Sequence, residues 1–138
     1  MLAASAPQLV LIMLDDVGFT NFGWRPKTLN PDATPHLDEL ARDGVKLTGY
    51  YTTHACGPSR AALLTGRYNL RTGHTYGHAD LPLDESTIGD ELKAVGYRTA
   101  LMGKWHAGFR SWSATPTYRG FDEFYGASCV ARAESESQ

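Results

Sequence analysis

The segment Gln8–Leu14, apolar from Leu9 onward, starts after Pro7 and stops at two adjacent carboxylates, Asp15 and Asp16. An apolar run of that length suits a strand buried on both faces of a parallel sheet, and it is too short for a core helix. The later segments keep a strand–helix rhythm. Thr34 caps a helix with Pro35 at its first position, Leu37, Leu40 and Ala41 on one side, and Gly44 as the stop. Val45–Thr52, rich in β-branched and aromatic residues, reads as a second strand. Ser59–Leu64, ended by Gly66, reads as a short helix. Thr87 and Asp90 resemble a capping box that opens a helix through Ala94, stopped by Gly96. Tyr97–Met102 is a third strand, while Phe19–Pro31 and Asn69–Leu81 read as loops. The alternation predicts an α/β domain with a largely parallel sheet and helices on both faces. In such sheets ligands bind beyond the carboxyl ends of the strands. Asp15 and Asp16 follow the first predicted strand; Lys104 and His106 follow the third.

Length and charge exclude several classes. With 138 residues the chain is the size of one ordinary domain. A net charge of −2, with acids and bases interspersed, argues against a nucleic-acid or membrane-surface partner. Leu9–Leu14 is far shorter than a membrane span. It also lacks the basic flank and cleavage site of a signal peptide. Two cysteines are too few for a disulfide framework.

The chemistry concentrates in Cys56-Gly57-Pro58-Ser59-Arg60. Pro58 suits the first position of a helix, which places Cys56 at its mouth. The free N–H groups of that turn and the planar Arg60 fork together suit a tetrahedral oxyanion. Cys56 then reads as a thiolate nucleophile, although a lone cysteine is more often a small buried hydrophobe. Asp15-Asp16 is either a turn and capping pair or the oxygen half of a hard-cation site. Lys104 and His106 flank Trp105, so in an extended chain their side chains share one face.

Cys-x-Pro-Ser-Arg followed by Leu63-Leu64-Thr65-Gly66-Arg67 resembles the sulfatase signature. Four further segments match that family in order: Leu11-Ile12-Met13-Leu14-Asp15-Asp16-Val17-Gly18, Thr34-Pro35-His36-Leu37-Asp38, Gly103-Lys104-Trp105-His106, and Arg119 to Gly126. The wording is most similar to the arylsulfatase B group. The resemblance implies an alkaline-phosphatase/sulfatase-like fold, of which residues 1–127 are the N-terminal part; 128–138 falls outside the family pattern, and its small, polar and charged ending predicts a disordered tail. It implies a sulfuric ester hydrolase acting on sulfate esters, sulfated glycosaminoglycans among them, in a lysosomal or secreted setting.

The same resemblance implies the site. Cys56 is converted to Cα-formylglycine by a formylglycine-generating enzyme. One hydroxyl of the hydrated aldehyde attacks sulfur, and the other then expels sulfate. Ca²⁺, or Mg²⁺, is held by Asp15, Asp16 and the modified Cys56. Arg60 neutralises charge at the formylglycine, Lys104 binds a sulfate oxygen, and His106 hydrogen-bonds the formylglycine hydroxyl. The family's later Asp-Asn metal pair, its leaving-group histidine and its second lysine have no counterpart here; Asp122, the only Asp after His106, is followed by Glu. Two alternatives therefore stand beside the sulfatase reading: a truncated, non-catalytic fragment, or a formylglycine hydrolase of phosphonate or phosphate esters. His54 reads as pocket lining at most. His36, His74 and His78 read as loop or surface residues, and Arg67, Arg71, Arg98 and Arg119 as structural pairs. Trp24, Trp105 and Trp112 suit either the pocket mouth or the core.

Overall fold

A computed structural model describes residues 6–28, 30–75 and 79–127, which leaves the expected tail and His78 outside it. The chain divides into two units, Met1–Tyr50 and Tyr51–Gln138. In the first unit, helix α1 spans Pro35–Asp43, with Thr34 as N-cap, Pro35 at the first position and Gly44 closing it through an N–H bond to the Leu40 carbonyl at 2.9 Å. The Thr34 hydroxyl does not cap the helix. It donates to Asp38 Oδ1 at 2.7 Å and accepts from the Gly23 N–H at 2.8 Å, tying the preceding loop to the first turn. Beside it the Arg25 guanidinium lies between the rings of Phe19 and Trp24, 4.1 Å from each centroid.

The two strands expected in this region do not form. Residues 8–14 and 45–52 carry no ladder pairing, and Val10 is 82% exposed. Apolar patterning reports what a strand would bury; a strand also needs a neighbour to take its N–H and C=O groups. Among the described residues neither segment has one. Val10, Ile12 and Leu14 line an open apolar groove with Leu37, Leu40 and Val45 instead.

In the second unit, helix α2 spans Cys56–Thr65 and ends on Gly66 at φ +66, a left-handed cap that glycine adopts without strain. It begins three residues before the expected Ser59, so Pro58 stands at the third helical position rather than the first. The change costs nothing, because first-turn N–H groups have no intrahelical acceptor. A single turn, α3 (Asn69–Thr72), interrupts the expected loop. Helix α4 spans Ile88–Ala94 behind the expected capping box: Thr87 N–H donates to Asp90 Oδ2 at 2.9 Å, and Asp90 N–H donates to Thr87 Oγ1 at 3.3 Å.

The third expected strand is present, displaced forward. It forms β1, Ala100–Lys104, because Tyr97 N–H is still bonded to the Leu92 carbonyl behind α4. Its partner is β2, Glu123–Ala127, which local patterning did not reveal. They pair in parallel from Ala100 opposite Glu123 to Lys104 opposite Ala127. Residues 105–122 make the crossover that parallel neighbours require, through two 3₁₀ turns, Trp112–Ala114 and Pro116–Tyr118. Gly103 and Gly126 face each other in this register. A Cβ on Gly126 would sit 1.9 Å from the Gly103 carbonyl oxygen, so only glycine permits the close approach.

Trp105, Phe121, Leu81, Leu64, Ala61 and Ala107 form the core of this unit. The Trp105 and Phe121 rings meet edge to face, centroids 6.0 Å apart at 79°. Arg119, buried, donates to the carbonyls of Leu81, Pro82 and Glu85 at 3.1, 3.2 and 2.6 Å. Thr87 Oγ1 bonds the Arg119 carbonyl in return, at 2.8 Å. The Arg119–Asp122 motif is therefore a brace, as expected of a structural arginine. Arg67 pairs with Glu85, and Arg98 with Glu123, at the surface.

Asp122 completes that brace and carries a pH dependence. Lys93 Nζ lies 2.7 Å from Asp122 Oδ1, and Thr99 N–H donates to Oδ2 at 2.9 Å. These bonds hold the carboxyl at about 2, below its ordinary 3.8. A depressed carboxylate stabilises the fold above its unfolded value and loses that contribution as pH falls toward the folded one. Urea midpoints of the wild-type chain are expected to fall between about pH 4 and pH 2, and Asp122→Asn to flatten this part of the profile. An unchanged profile in that variant would mean that Asp122 is not the group responsible.

Candidate functional site

Cys56 is the first residue of α2 and is partly buried. The turn behind it, Gly57 to Ala61, is buried throughout. Ala55, with no capping side chain, stands at the N-cap, and the hydroxyls of Thr53 and Ser59 lie 2.8 Å apart beside its carbonyl. Arg60, one turn after Cys56, extends across the unit and donates from an Nη to the Lys104 carbonyl at 2.5 Å. That bond spans 44 positions of sequence. It fastens the mouth of α2 to the carboxyl end of β1, so the Cys56 and Lys104 motifs meet where an α/β sheet presents its ligands.

Beyond Lys104 the backbone departs from the extended form. Trp105 N–H bonds the Ala127 carbonyl at 2.9 Å, its indole enters the core, and Nε1 donates to the Ala114 carbonyl at 3.0 Å. His106 is buried with φ +53, a left-handed conformation uncommon outside glycine. The strand geometry expected to place Lys104 and His106 on one face ends at Lys104. Residues 107–110 are held from outside by a segment that no motif marks. Asp80 Oδ1 accepts from Phe109 N–H at 2.9 Å and Arg110 N–H at 3.4 Å, and Leu81 N–H bonds the Ala107 carbonyl at 2.8 Å. A buried residue at positive φ, clamped on its C-terminal side, is over-determined by its surroundings, as strained positions at functional sites are.

Asp15 and Asp16 lie in the first unit, both exposed, with Asp16 at φ +53. Their oxygens are the donor type that hard cations prefer, but Ca²⁺ takes six to eight such ligands. Among the described residues no group of three or more His, Cys, Asp or Glu side chains is arranged to hold a metal ion. The donor chemistry fits; the donor number does not complete a cage.

The remaining candidates separate clearly. His74, expected in a loop or at the surface, is 1% exposed, and neither ring nitrogen has a hydrogen-bond partner among the described residues. His36 is exposed on α1, and His54 is exposed before α2. Trp105 belongs to the core, Trp112 is solvent-facing, and Trp24 stacks on Arg25.

A family model described as Sulfatase matches residues 7–136. The chain is 43% identical to mouse (Mus musculus) arylsulfatase J, covering 89% of this chain and 21% of that protein. It is 42% identical to human steryl-sulfatase, covering 91% of this chain and 24% of that protein. The chain thus spans about a quarter or less of the relatives it matches. Among solved structures, Ps i-CgsB superposes with a TM-score of 0.72 at 38% identity, over 81% of this chain and 26% of that one. The same protein has been crystallised in complex with k-i-k-neocarrahexaose.

Proposed function

The chain belongs to the sulfatase family, and from that premise we propose that it takes part in the hydrolysis of sulfate esters, with Cys56, Arg60, Lys104 and His106 as its working residues. The observation that carries the reading is the bond from Arg60 to the Lys104 carbonyl, which joins the two motifs at one end of the sheet. Arg60 and the first turn of α2 neutralise the anion at Cys56. Lys104 supplies a point charge to a sulfate oxygen, and His106, preset by its backbone, exchanges a proton with the reacting hydroxyl. Oxidised to formylglycine, Cys56 supplies a hydrated aldehyde with two hydroxyl groups, one to attack sulfur and one to release sulfate. Asp15 and Asp16 would contribute oxygen ligands to a Ca²⁺ or Mg²⁺ ion, which would supply Lewis-acid chemistry. Sulfated sugars are the proposed substrate class; the sugar complex of Ps i-CgsB supports it.

A second reading is a fragment without turnover by itself: the chain spans about a quarter or less of the relatives it matches. Intact mass of the protein from its native host, then assay on an aryl sulfate and an aryl phosphate with and without Ca²⁺, separates the readings. The expected result is an aldehyde at Cys56 and Ca²⁺-dependent release from the sulfate ester. An unmodified thiol overturns the formylglycine reading. Faster release from the phosphate reassigns the ester, and no release from either supports the fragment.

A further inference from the structure

Helix α2 lacks a side-chain N-cap, and two hydroxyls instead hold the backbone carbonyls that lead into it. Ser59 Oγ lies 2.8 Å from the Ala55 carbonyl oxygen, 3.1 Å from that of Thr53, and 2.8 Å from Thr53 Oγ1. Thr53 Oγ1 also lies 3.1 Å from the Ala55 carbonyl oxygen, which accepts the Ser59 N–H at 3.1 Å as well. The Ala55 carbonyl is the acyl half of the peptide that ends at Cys56. Whatever holds it sets the plane of that peptide, and with it the direction from which the Cys56 side chain leaves the helix.

We propose that Thr53 is a positioning residue for Cys56: its hydroxyl closes a clamp with Ser59 on the Ala55 carbonyl and restricts Cys56 to one orientation. Ser59 alone cannot do this. Its one proton is shared between two carbonyls on a segment that nothing in the clamp then holds back. Thr53 lies outside the Cys56–Arg60 motif, yet it ties the incoming chain to the helix. The proposal rests on the reading of Cys56 as the reacting residue.

Thr53→Val keeps the shape of the side chain but sets a methyl where the hydroxyl made contacts of 2.8 and 3.1 Å, inside carbon van der Waals distance. The segment must then move off α2. Thr53→Ser restores the hydroxyl. The test is nuclear magnetic resonance of protein labelled with ¹³C at cysteine Cβ, with Cys129→Ser identifying the second signal; the label reports Cys56 as thiol or as aldehyde alike. Wild type and Thr53→Ser are expected to give one narrow Cys56 signal. Thr53→Val is expected to split it or broaden it at least about twofold as rotamers exchange, with the amides of β1 and β2 unmoved. A single wild-type-like signal in Thr53→Val overturns the proposal. Should that variant not fold, Thr53→Ala makes the same comparison, and loss of fold there too makes Thr53 a folding residue and overturns it. Failure of the sulfatase reading shows separately, as absent ester hydrolysis by the wild-type protein while the Cβ signals still differ.

Discussion

On the proposed formylglycine reading, replacing Cys56 by serine is expected to lower aryl sulfate turnover at least about a thousandfold and to leave one sulfuryl group on the protein. Serine is well tolerated at the start of a helix, so α2 and the Arg60 bond stay in place and attack on sulfur remains geometrically open. In that attack an S–O bond forms to the substituted hydroxyl, the ester S–O bond breaks, and the alcohol leaves with a proton. The side chain then carries a sulfate ester and has no second hydroxyl to expel it. Alcohol release and intact mass measured on one sample give the answer. One equivalent of alcohol with a matching mass increase is the expected pair. Continued turnover would show that the reaction does not need the two-hydroxyl chemistry of formylglycine.

Trp105→Ala is expected to destabilise the second unit by about 3–5 kcal/mol, the range for truncating a large buried aromatic. Trp105 is 1% exposed, packs edge to face on Phe121, and satisfies the Ala114 carbonyl. Alanine removes the apolar area, leaves a cavity and orphans that carbonyl. Trp105→Phe recovers most of the packing but not the bond, and an intermediate loss of about 1–2 kcal/mol is expected. Urea unfolding followed by circular dichroism measures both. A loss below about 1 kcal/mol in Trp105→Ala would mean that the indole is not the anchor of this core.

Helix ends were the most legible part of the fold. Pro35 and Gly44 bound α1, Gly66 ends α2, and the Thr87/Asp90 box opens α4, each as its local chemistry requires, whereas Thr34 holds the N-cap position with its hydroxyl on Asp38 instead of capping. These signals act within four residues, so no distant partner can cancel them. Strands were less legible. Gln8–Leu14 has the stronger apolar run but no neighbour among the described residues. Glu123–Ala127, with glycine and a charge, forms a strand because β1 lies beside it. At the site, the motif spacing marked Cys56, Arg60, Lys104 and His106, but not Thr53 or Asp80, whose partners lie outside any motif.

The sequence by itself determined the family and where three helices begin or end, since motif order and capping are properties of neighbouring residues. Only the tertiary structure decided which apolar segments pair, that Trp105 belongs to the core, that His106 turns left-handed, and that Arg60 reaches the Lys104 carbonyl 44 positions away. The physical reason is range. A cap is satisfied within one turn of chain, whereas a ladder, a buried indole or a guanidinium bond exists only when remote backbone is brought within hydrogen-bond reach.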